Sequence, residues 1–109
     1  MNSFSFQNKE LYAESVSVID LMEDYGSPLY IYSKNQIEFN WKRLEKSFGS
    51  HPHLICYAVK ANSNIAVLNT LVKLGSGFDV VSIGELERVI AAGGKPSLCV
   101  FSGVAKSRS

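Results

Sequence analysis

The sequence has no long hydrophobic run and no excess of charge of either sign. Its apolar stretches fall far short of the ~20 residues that a membrane-spanning helix needs. Its first ten residues, MNSFSFQNKE, are polar and lack the apolar core of a secretion signal. Eleven Lys and Arg residues against ten Asp and Glu residues give a net charge of +1, which provides no basic surface for nucleic acid. We therefore expect neither a membrane nor a nucleic-acid partner.

Cysteines, histidines and glycines are also too few or too poorly spaced for several kinds of site. Cys56 and Cys99 form no CxxC pair and fall in strand-like runs, which predicts small buried side chains in a reducing cytoplasm. His51 and His53 flank Pro52 with no further ligand nearby, so we expect loop residues and no metal. The glycine fingerprints of nucleotide sites, GxGxxG and the P-loop, are absent.

What the sequence does contain is a strand–helix unit that repeats along the chain. Apolar and β-branched runs predict strands at 28–33, 53–60, 77–82 and 97–103, after an earlier strand in ELYAESVSV. Helices are predicted between them, with caps at Ser17, Ser33, Asn62 or Ser63, and Ser82, and with glycine stops at Gly26, Gly75 and Gly93.

Strands that alternate with helices at this spacing must run parallel, which predicts an α/β fold. Two architectures fit the pattern: an open doubly wound sheet, or the N-terminal half of a (β/α)8 barrel of the TIM type. A complete barrel needs about 250 residues, so this chain would supply only half of one. The runs are apolar on both faces, as is typical of parallel strands covered on both sides.

Lys60 is the first candidate functional residue, because it ends the apolar run LICYAVK. As the last residue of a strand it would lie at the carboxyl edge of the sheet, where α/β folds place their active sites. Alternation along the strand would put it on the same face as Ala58 and Cys56, and the small Ala58 would leave room for a flat ligand. The alternative is a lysine whose ammonium group extends into solvent from a strand end.

Two carboxylates follow in the next unit. Asp79 interrupts the apolar run GFDVVS beside the strand of Lys60, either as a buried ion pair, which Lys60 itself could complete, or as a group that orients a cofactor. Glu85 stands three residues after Ser82, so a capping box competes with a functional role. Lys106 follows the last predicted strand and could face the same edge, whereas we expect Lys73 and Lys95 to be solvated.

The strings YGSPLYIYS, YAVKAN, GSGFDVVSIGELERVIAAG and VFSGVAKS resemble, in order and spacing, the diaminopimelate decarboxylase family. That family belongs to the alanine-racemase-like, fold-type III enzymes that depend on pyridoxal 5′-phosphate. The resemblance runs from about residue 17 to the end of the chain. It departs from the family at Ile83, where a glycine is usual, and at Ala105 and Ser107, where the family often reads Gly-Lys-Thr.

The resemblance implies a function. Lys60 would be the lysine that bonds covalently to the aldehyde of pyridoxal phosphate, with Ala58, Asp79 and Glu85 lining the cofactor site. The reaction would be decarboxylation of meso-2,6-diaminopimelate to L-lysine and CO2, by a cytoplasmic homodimer that binds a small amino-acid substrate.

The resemblance also implies an organisation of the chain. Residues 1–17 would form a strand segment of a separate β domain, and residues 18–109 the first half of the barrel. The 109 residues alone are expected to be inactive. Rival functions are decarboxylation of ornithine, arginine or carboxynorspermidine by the same fold, and a non-catalytic barrel that carries pyridoxal phosphate.

Overall fold

The structure is a computed structural model that describes residues 2–102, and these residues form two compact units that divide between Asn40 and Trp41. No helix within residues 2–102 is long and apolar enough to cross a membrane. Predicted strand 97–103 and Lys106 therefore lie partly or wholly outside the described residues.

The first unit begins with a small antiparallel sheet. Strands β1 (Phe4–Gln7), β2 (Glu10–Ala13) and β3 (Val16–Ser17) pair in the order β1-β2-β3. The β1–β2 turn consists of two residues with positive φ, Asn8 at 52° and Lys9 at 68°, as is typical of a tight hairpin. The predicted single strand in ELYAESVSV is therefore two strands, because the chain reverses after Ala13.

Helix α1 (Val18–Tyr25) follows the sheet with both predicted end signals in place. The Ser17 hydroxyl accepts a hydrogen bond from the Asp20 amide at 3.4 Å, which satisfies one of the free N–H groups of the first turn. Gly26 ends the helix with a φ of 86°. Glycine adopts this backbone conformation readily, whereas a residue with a side chain would be strained there.

The predicted strand at 28–33 is wrong. PLYIYS carries no strand between α1 and α2 (Lys34–Ser47), and Tyr30 is 86% exposed. β-Branched and aromatic residues favour a strand only where a neighbouring strand pairs with them, and no strand described within residues 2–102 pairs with this run.

Helix α2 starts as predicted, since the Ser33 hydroxyl accepts from the Gln36 amide at 3.0 Å and donates to the Glu14 carboxylate at 2.8 Å. The apolar side chains of this helix are only partly covered. Leu44 is 48% exposed, and no residue of α2 is fully buried. The cap at Ser33 therefore identified the start of the helix but gave no information on what packs against it.

The second unit is an α/β arrangement of three parallel strands, which confirms the predicted fold class. Strands β4 (Cys56–Ala58), β5 (Gly77–Val80) and β6 (Cys99–Phe101) lie side by side in the order β4-β5-β6. Helix α3 (Ile65–Leu74) connects β4 to β5, and helix α4 (Ile83–Ala91) connects β5 to β6. A crossover helix of this kind is what parallel neighbours require.

The core of this unit lies on one face of the sheet. Phe78 and Val80 of β5 are 1% and 0% exposed, and Leu68 of α3 and Val89 of α4 are equally buried. Because α3 packs against α4, both helices cover the same face. On the other face Val100 is 49% exposed, so the sheet is covered on one side only within the described residues.

Candidate active site at the carboxyl edge of the parallel sheet

Lys60 lies just beyond strand β4, not at its end. The strand stops at Ala58, and a 3₁₀ turn (Val59–Ala61) follows it, so the predicted strand 53–60 extended two residues too far at its carboxyl end and three too far at its amino end. The reason is Val59, which is fully buried and turns the chain while its carbonyl accepts from the Asn62 amide at 3.1 Å. The predicted alternation of Lys60 with Ala58 and Cys56 therefore fails. Its placement at the carboxyl edge of the sheet is confirmed, with its side chain exposed.

A second constraint on this turn comes from a residue that the sequence did not single out. The Tyr57 hydroxyl donates to the Asn62 carbonyl at 3.0 Å, which joins the two sides of the turn around Lys60. The Tyr57 ring lies edge-on to Phe78, with centroids 6.5 Å apart and planes at 87°. Asn62 in turn accepts from the Asn64 amide at 3.0 Å, and Asn64, not Asn62 or Ser63, caps helix α3.

Asp79 lies on the strand next to Lys60, directly opposite Ala58 in the β4–β5 register. Paired residues of parallel strands project from the same face, so Ala58 and the Asp79 carboxylate share the face that the helices leave open. The Ser102 hydroxyl donates to Asp79 Oδ1 at 2.5 Å. The ion pair considered between Asp79 and Lys60 is absent from the described residues, and the serine takes that place.

Ser102 is the second residue missed in the sequence. Its amide donates to the Val80 carbonyl at 2.9 Å, which extends the β5–β6 ladder by one bond and fixes its backbone. The only signal in the sequence was the alternation of side chains along a strand: Ser102 is two residues after Val100, the partner of Asp79, and so projects from the same face. This alternation becomes informative only when the register of the two strands is known.

Glu85 acts as part of a helix cap. Its amide donates to the Ser82 hydroxyl at 3.2 Å, and its Oε1 accepts from the Val81 amide at 2.9 Å. These two bonds confirm the predicted capping box, with the reciprocal bond one residue earlier than the usual pattern. A role of Glu85 toward a cofactor stays a prediction.

The other titratable candidates do not join the site. Lys73 on α3 and Lys95 after α4 are exposed, as expected. His53 Nε2 lies 2.9 Å from Glu45 Oε1, and its ring stacks on Phe48 before β4 begins. No group of three or more ligand-type side chains that could hold a metal occurs in the described part of the chain.

Both cysteines are free thiols, but they are half-buried, so the prediction of fully buried side chains is wrong. Burial raises the pKa of Cys56, and the charge of Asp79 raises it further. Burial likewise raises the pKa of Cys99, with a smaller contribution from Cys56. A raised pKa leaves less thiolate at neutral pH, which makes both thiols weaker nucleophiles.

A cavity of about 120 Å³ in the second unit lies away from Lys60. Ser76 and Leu98 in its wall precede β5 and β6, so it opens at the amino end of the sheet, among Gly93, Gly94 and apolar side chains. The carboxyl edge carries an amine, Lys60, a carboxylate, Asp79, and a small residue, Ala58. That set suits a carbonyl cofactor, because a primary amine bonds to an aldehyde and a carboxylate stabilises the positive charge that results.

Comparison with known proteins first identifies the class of protein to which the chain belongs. A family model described as "Pyridoxal-dependent decarboxylase, pyridoxal binding domain" matches residues 34–109. This is well over half of the chain, and the chain belongs to that family. Its α/β fold matches the N-terminal domain of fold-type III decarboxylases that depend on pyridoxal phosphate.

Individual relatives within the class are diaminopimelate decarboxylases. That of Vibrio cholerae is 59% identical over 100% of this chain and 26% of its own length. That of Haemophilus influenzae is 58% identical over 99% of this chain and 26% of its own length. The chain therefore spans about a quarter of the length of the curated relatives it matches.

Solved structures with a similar fold include enzymes of the same class. AQ1208 from Aquifex aeolicus is similar with a TM-score of 0.90 and 41% identity, over 96% of this chain and 26% of that one. Diaminopimelate decarboxylase from M. jannaschii gives a TM-score of 0.84 and 32% identity, over 93% and 25%. SrLDC in complex with PLP and cadaverine gives 0.72 and 29%, over 91% and 24%.

Proposed function

We propose that the whole protein, meaning the complete translated product that contains these 109 residues, is a pyridoxal-phosphate-dependent diaminopimelate decarboxylase. It removes one carboxyl group of meso-2,6-diaminopimelate as CO2 and leaves L-lysine. The observation that carries the proposal is identity of 50% to 59% with several diaminopimelate decarboxylases over 99% to 100% of the chain. The exposed amine at the carboxyl edge of a parallel sheet supports the same chemistry.

Lys60 is the residue that we assign to the covalent bond with the cofactor. Pyridoxal phosphate, when bound, supplies an aldehyde that bonds to amines and a ring that accepts the electron pair left by CO2. The Lys60 amine is exposed and makes no ion pair within residues 2–102, so no partner has to be broken before it reacts. A neutral amine is the form that would react with such an aldehyde, and Lys60 would supply it.

The neighbouring residues have supporting roles. The Asp79 carboxylate, held at one oxygen by Ser102, stabilises positive charge at the carboxyl edge. Ala58, opposite Asp79, leaves space over the sheet for a flat ring. Glu85 fixes the start of α4 through its bond to the Val81 amide, and its other carboxylate oxygen is the part that would face the cofactor.

A barrel explains the sheet better than an open doubly wound fold. In a doubly wound sheet the helices cover both faces, whereas in a barrel they cover only the outer face. Helices α3 and α4 cover one face, and the other carries Ala58, Asp79 and the half-exposed Val100. We therefore assign residues 18–109 to the first half of a (β/α)8 barrel. From the family resemblance we assign residues 1–17 to a separate β domain. A structure of the whole protein with helices on both faces of β4-β5-β6 would contradict the barrel.

The proposal includes a cytoplasmic homodimer. Two free thiols with no disulfide suit a reducing compartment. The dimer follows from the family resemblance. Light scattering of the purified whole protein at the mass of one chain would contradict it.

The deciding experiment measures CO2 release by the purified whole protein from meso-diaminopimelate, ornithine and L-lysine in parallel. We expect meso-diaminopimelate to have the highest kcat/KM. Borohydride reduction of the cofactor-loaded protein, followed by peptide mapping, should place the label on Lys60. Preference for ornithine would indicate a neighbouring decarboxylase family. Absence of turnover with the cofactor still bound would favour a non-catalytic barrel that carries pyridoxal phosphate. A label on Lys73 or Lys106 would refute the assignment of Lys60.

A further inference from the structure

The turn that presents Lys60 is held by a hydrogen bond from a side chain of the preceding strand, that of Tyr57. The Tyr57 hydroxyl donates to the Asn62 carbonyl at 3.0 Å, five residues along the chain. Lys60 lies between these two residues, in a turn closed a second time by the Asn62 amide and the Val59 carbonyl at 3.1 Å. One bond comes from the backbone of the turn itself and the other from strand β4.

Tyr57 can act as an anchor because its own position is fixed. Its backbone pairs with Phe78 in the β4–β5 ladder, and its ring packs edge-on against the Phe78 ring. Phe78 is 1% exposed and belongs to the core beneath α3 and α4. The hydrogen bond from the Tyr57 hydroxyl therefore ties the turn after β4 to a rigid part of the sheet.

Two other features restrain the ends of the turn, and one of them is the bond from the Asn64 amide to the Asn62 side chain at 3.0 Å. Val59 is completely buried, which sets one end of the turn, but Lys60 and Ala61 are both exposed. An exposed 3₁₀ turn of three residues has weak hydrogen bonds of its own and samples other conformations readily. Without the Tyr57–Asn62 bond, the far end of the turn would be tied to helix α3 through Asn64 but no longer directly to strand β4.

We propose that Tyr57 is a positioning residue for Lys60: its hydroxyl fixes the turn so that the lysine amine is held in the geometry for reaction with the cofactor aldehyde. This inference rests on the proposed function, because it takes Lys60 as the residue that bonds to pyridoxal phosphate. Reactions that depend on alignment lose rate steeply when the reacting group is displaced or must be ordered first.

The test uses Tyr57→Phe in the whole protein, because this change removes one oxygen and keeps the ring against Phe78. The matched control is Tyr30→Phe, which removes the same hydroxyl from a side chain that is 86% exposed. Cofactor-free protein is titrated with pyridoxal phosphate, reduced with borohydride, and the label on Lys60 is quantified by peptide mapping. All measurements are made at a temperature where circular dichroism shows each variant to be folded.

We expect Tyr57→Phe to need about tenfold more pyridoxal phosphate for half-labelling of Lys60, while Tyr30→Phe matches the unaltered protein. Amide hydrogen exchange at Asn62 should also be faster in Tyr57→Phe than in the control. A lower melting temperature with an unchanged labelling curve would show a structural role only and would overturn the inference alone. Absence of label on Lys60 in the unaltered protein would overturn the proposed function, and this inference with it.

Discussion

The two ends of the parallel sheet differ in what their residues touch. At the carboxyl end, Lys60 is exposed and Asp79 is half-buried with a single hydroxyl partner, Ser102. At the amino end, a Cβ added to Gly77 would lie 2.7 Å from the Leu98 carbonyl and 2.9 Å from Cys56 Sγ. The exposed polar groups of the carboxyl end can reach a ligand, whereas the close-packed backbone of the amino end contributes to stability. The difference indicates that function and folding can be altered separately in this chain.

The largest effect is expected at the carboxyl end, from Lys60→Ala in the whole protein. Turnover should fall on the order of a thousandfold or more, because the covalent bond to the cofactor is lost. The melting temperature of the cofactor-free protein should not change, because the side chain is exposed. Steady-state kinetics and thermal unfolding measure both, with Lys73→Ala, an exposed lysine on α3, as the control that changes neither. Comparable turnover in Lys60→Ala and Lys73→Ala would remove the chemical role from this end.

The opposite pattern is expected at the amino end, from Gly77→Ala. The new methyl group would meet backbone that cannot move freely, so the free energy of unfolding should fall by about 1–3 kcal/mol. Turnover per folded molecule should be retained. Gly84→Ala is the matched control, since its nearest neighbour would be the Ser82 hydroxyl at 3.9 Å and alanine suits a helix. The denaturant midpoints of the two variants measure the difference in stability. Equal midpoints would show that the amino end is not tightly packed.

A smaller effect at the carboxyl end concerns the bond between Ser102 and Asp79. Ser102→Ala should weaken cofactor affinity about fivefold, close to 1 kcal/mol for a hydrogen bond to a half-exposed carboxylate, while Ser102→Thr keeps the hydroxyl and the affinity. In an Asp79→Asn background the same serine change should have little effect, because residues that act through each other are not additive. Fluorescence titration of cofactor-free protein measures all four affinities of the cycle. Additive losses would mean that Ser102 does not act through Asp79.

The smallest effect is expected from His53, before the amino end of β4. Its pKa is raised above the ordinary 6.5, first by the hydrogen bond to the His51 carbonyl and then by Glu45. Both ring nitrogens face acceptors, at 2.6 and 2.9 Å, so only the doubly protonated ring satisfies both. The folded protein therefore binds this proton more tightly than the unfolded chain does.

The stabilisation from His53 is accordingly complete below about pH 6.5 and is lost as the pH rises through the raised pKa. The difference in denaturation midpoint between the unaltered protein and His53→Ala should be larger at about pH 6 than at about pH 8.5. His51→Ala keeps the carbonyl that His53 contacts and should show no such dependence. A difference that is constant with pH would mean that the ring is neutral in the folded protein.

Features decided within one turn of the chain could be predicted from the sequence. The caps at Ser17, Ser33 and Ser82 and the glycine stop at Gly26 depend on residues three or four positions apart, and all four are confirmed. The parallel arrangement of the last three strands also followed from the spacing of strands and helices.

Features decided by distant partners could not be predicted. Strand β4 ends two residues early because Val59 is buried in the core, and the run at 28–33 has no strand partner among the described residues. The partner of Asp79 is 23 residues away on another strand, and only the β5–β6 register brings Ser102 to it. The candidate site was therefore predicted at Lys60 and Asp79 but not in the residues that hold them.

The raised pKa values of the two thiols have a practical consequence for labelling. Alkylating reagents react with the thiolate, and at neutral pH Cys56 and Cys99 hold less of it than an exposed thiol does. These are the only two cysteines in the 109 residues. A fluorophore attached after Tyr30→Cys, at a position that is 86% exposed, would therefore react mainly there and leave both native sulfurs unmodified.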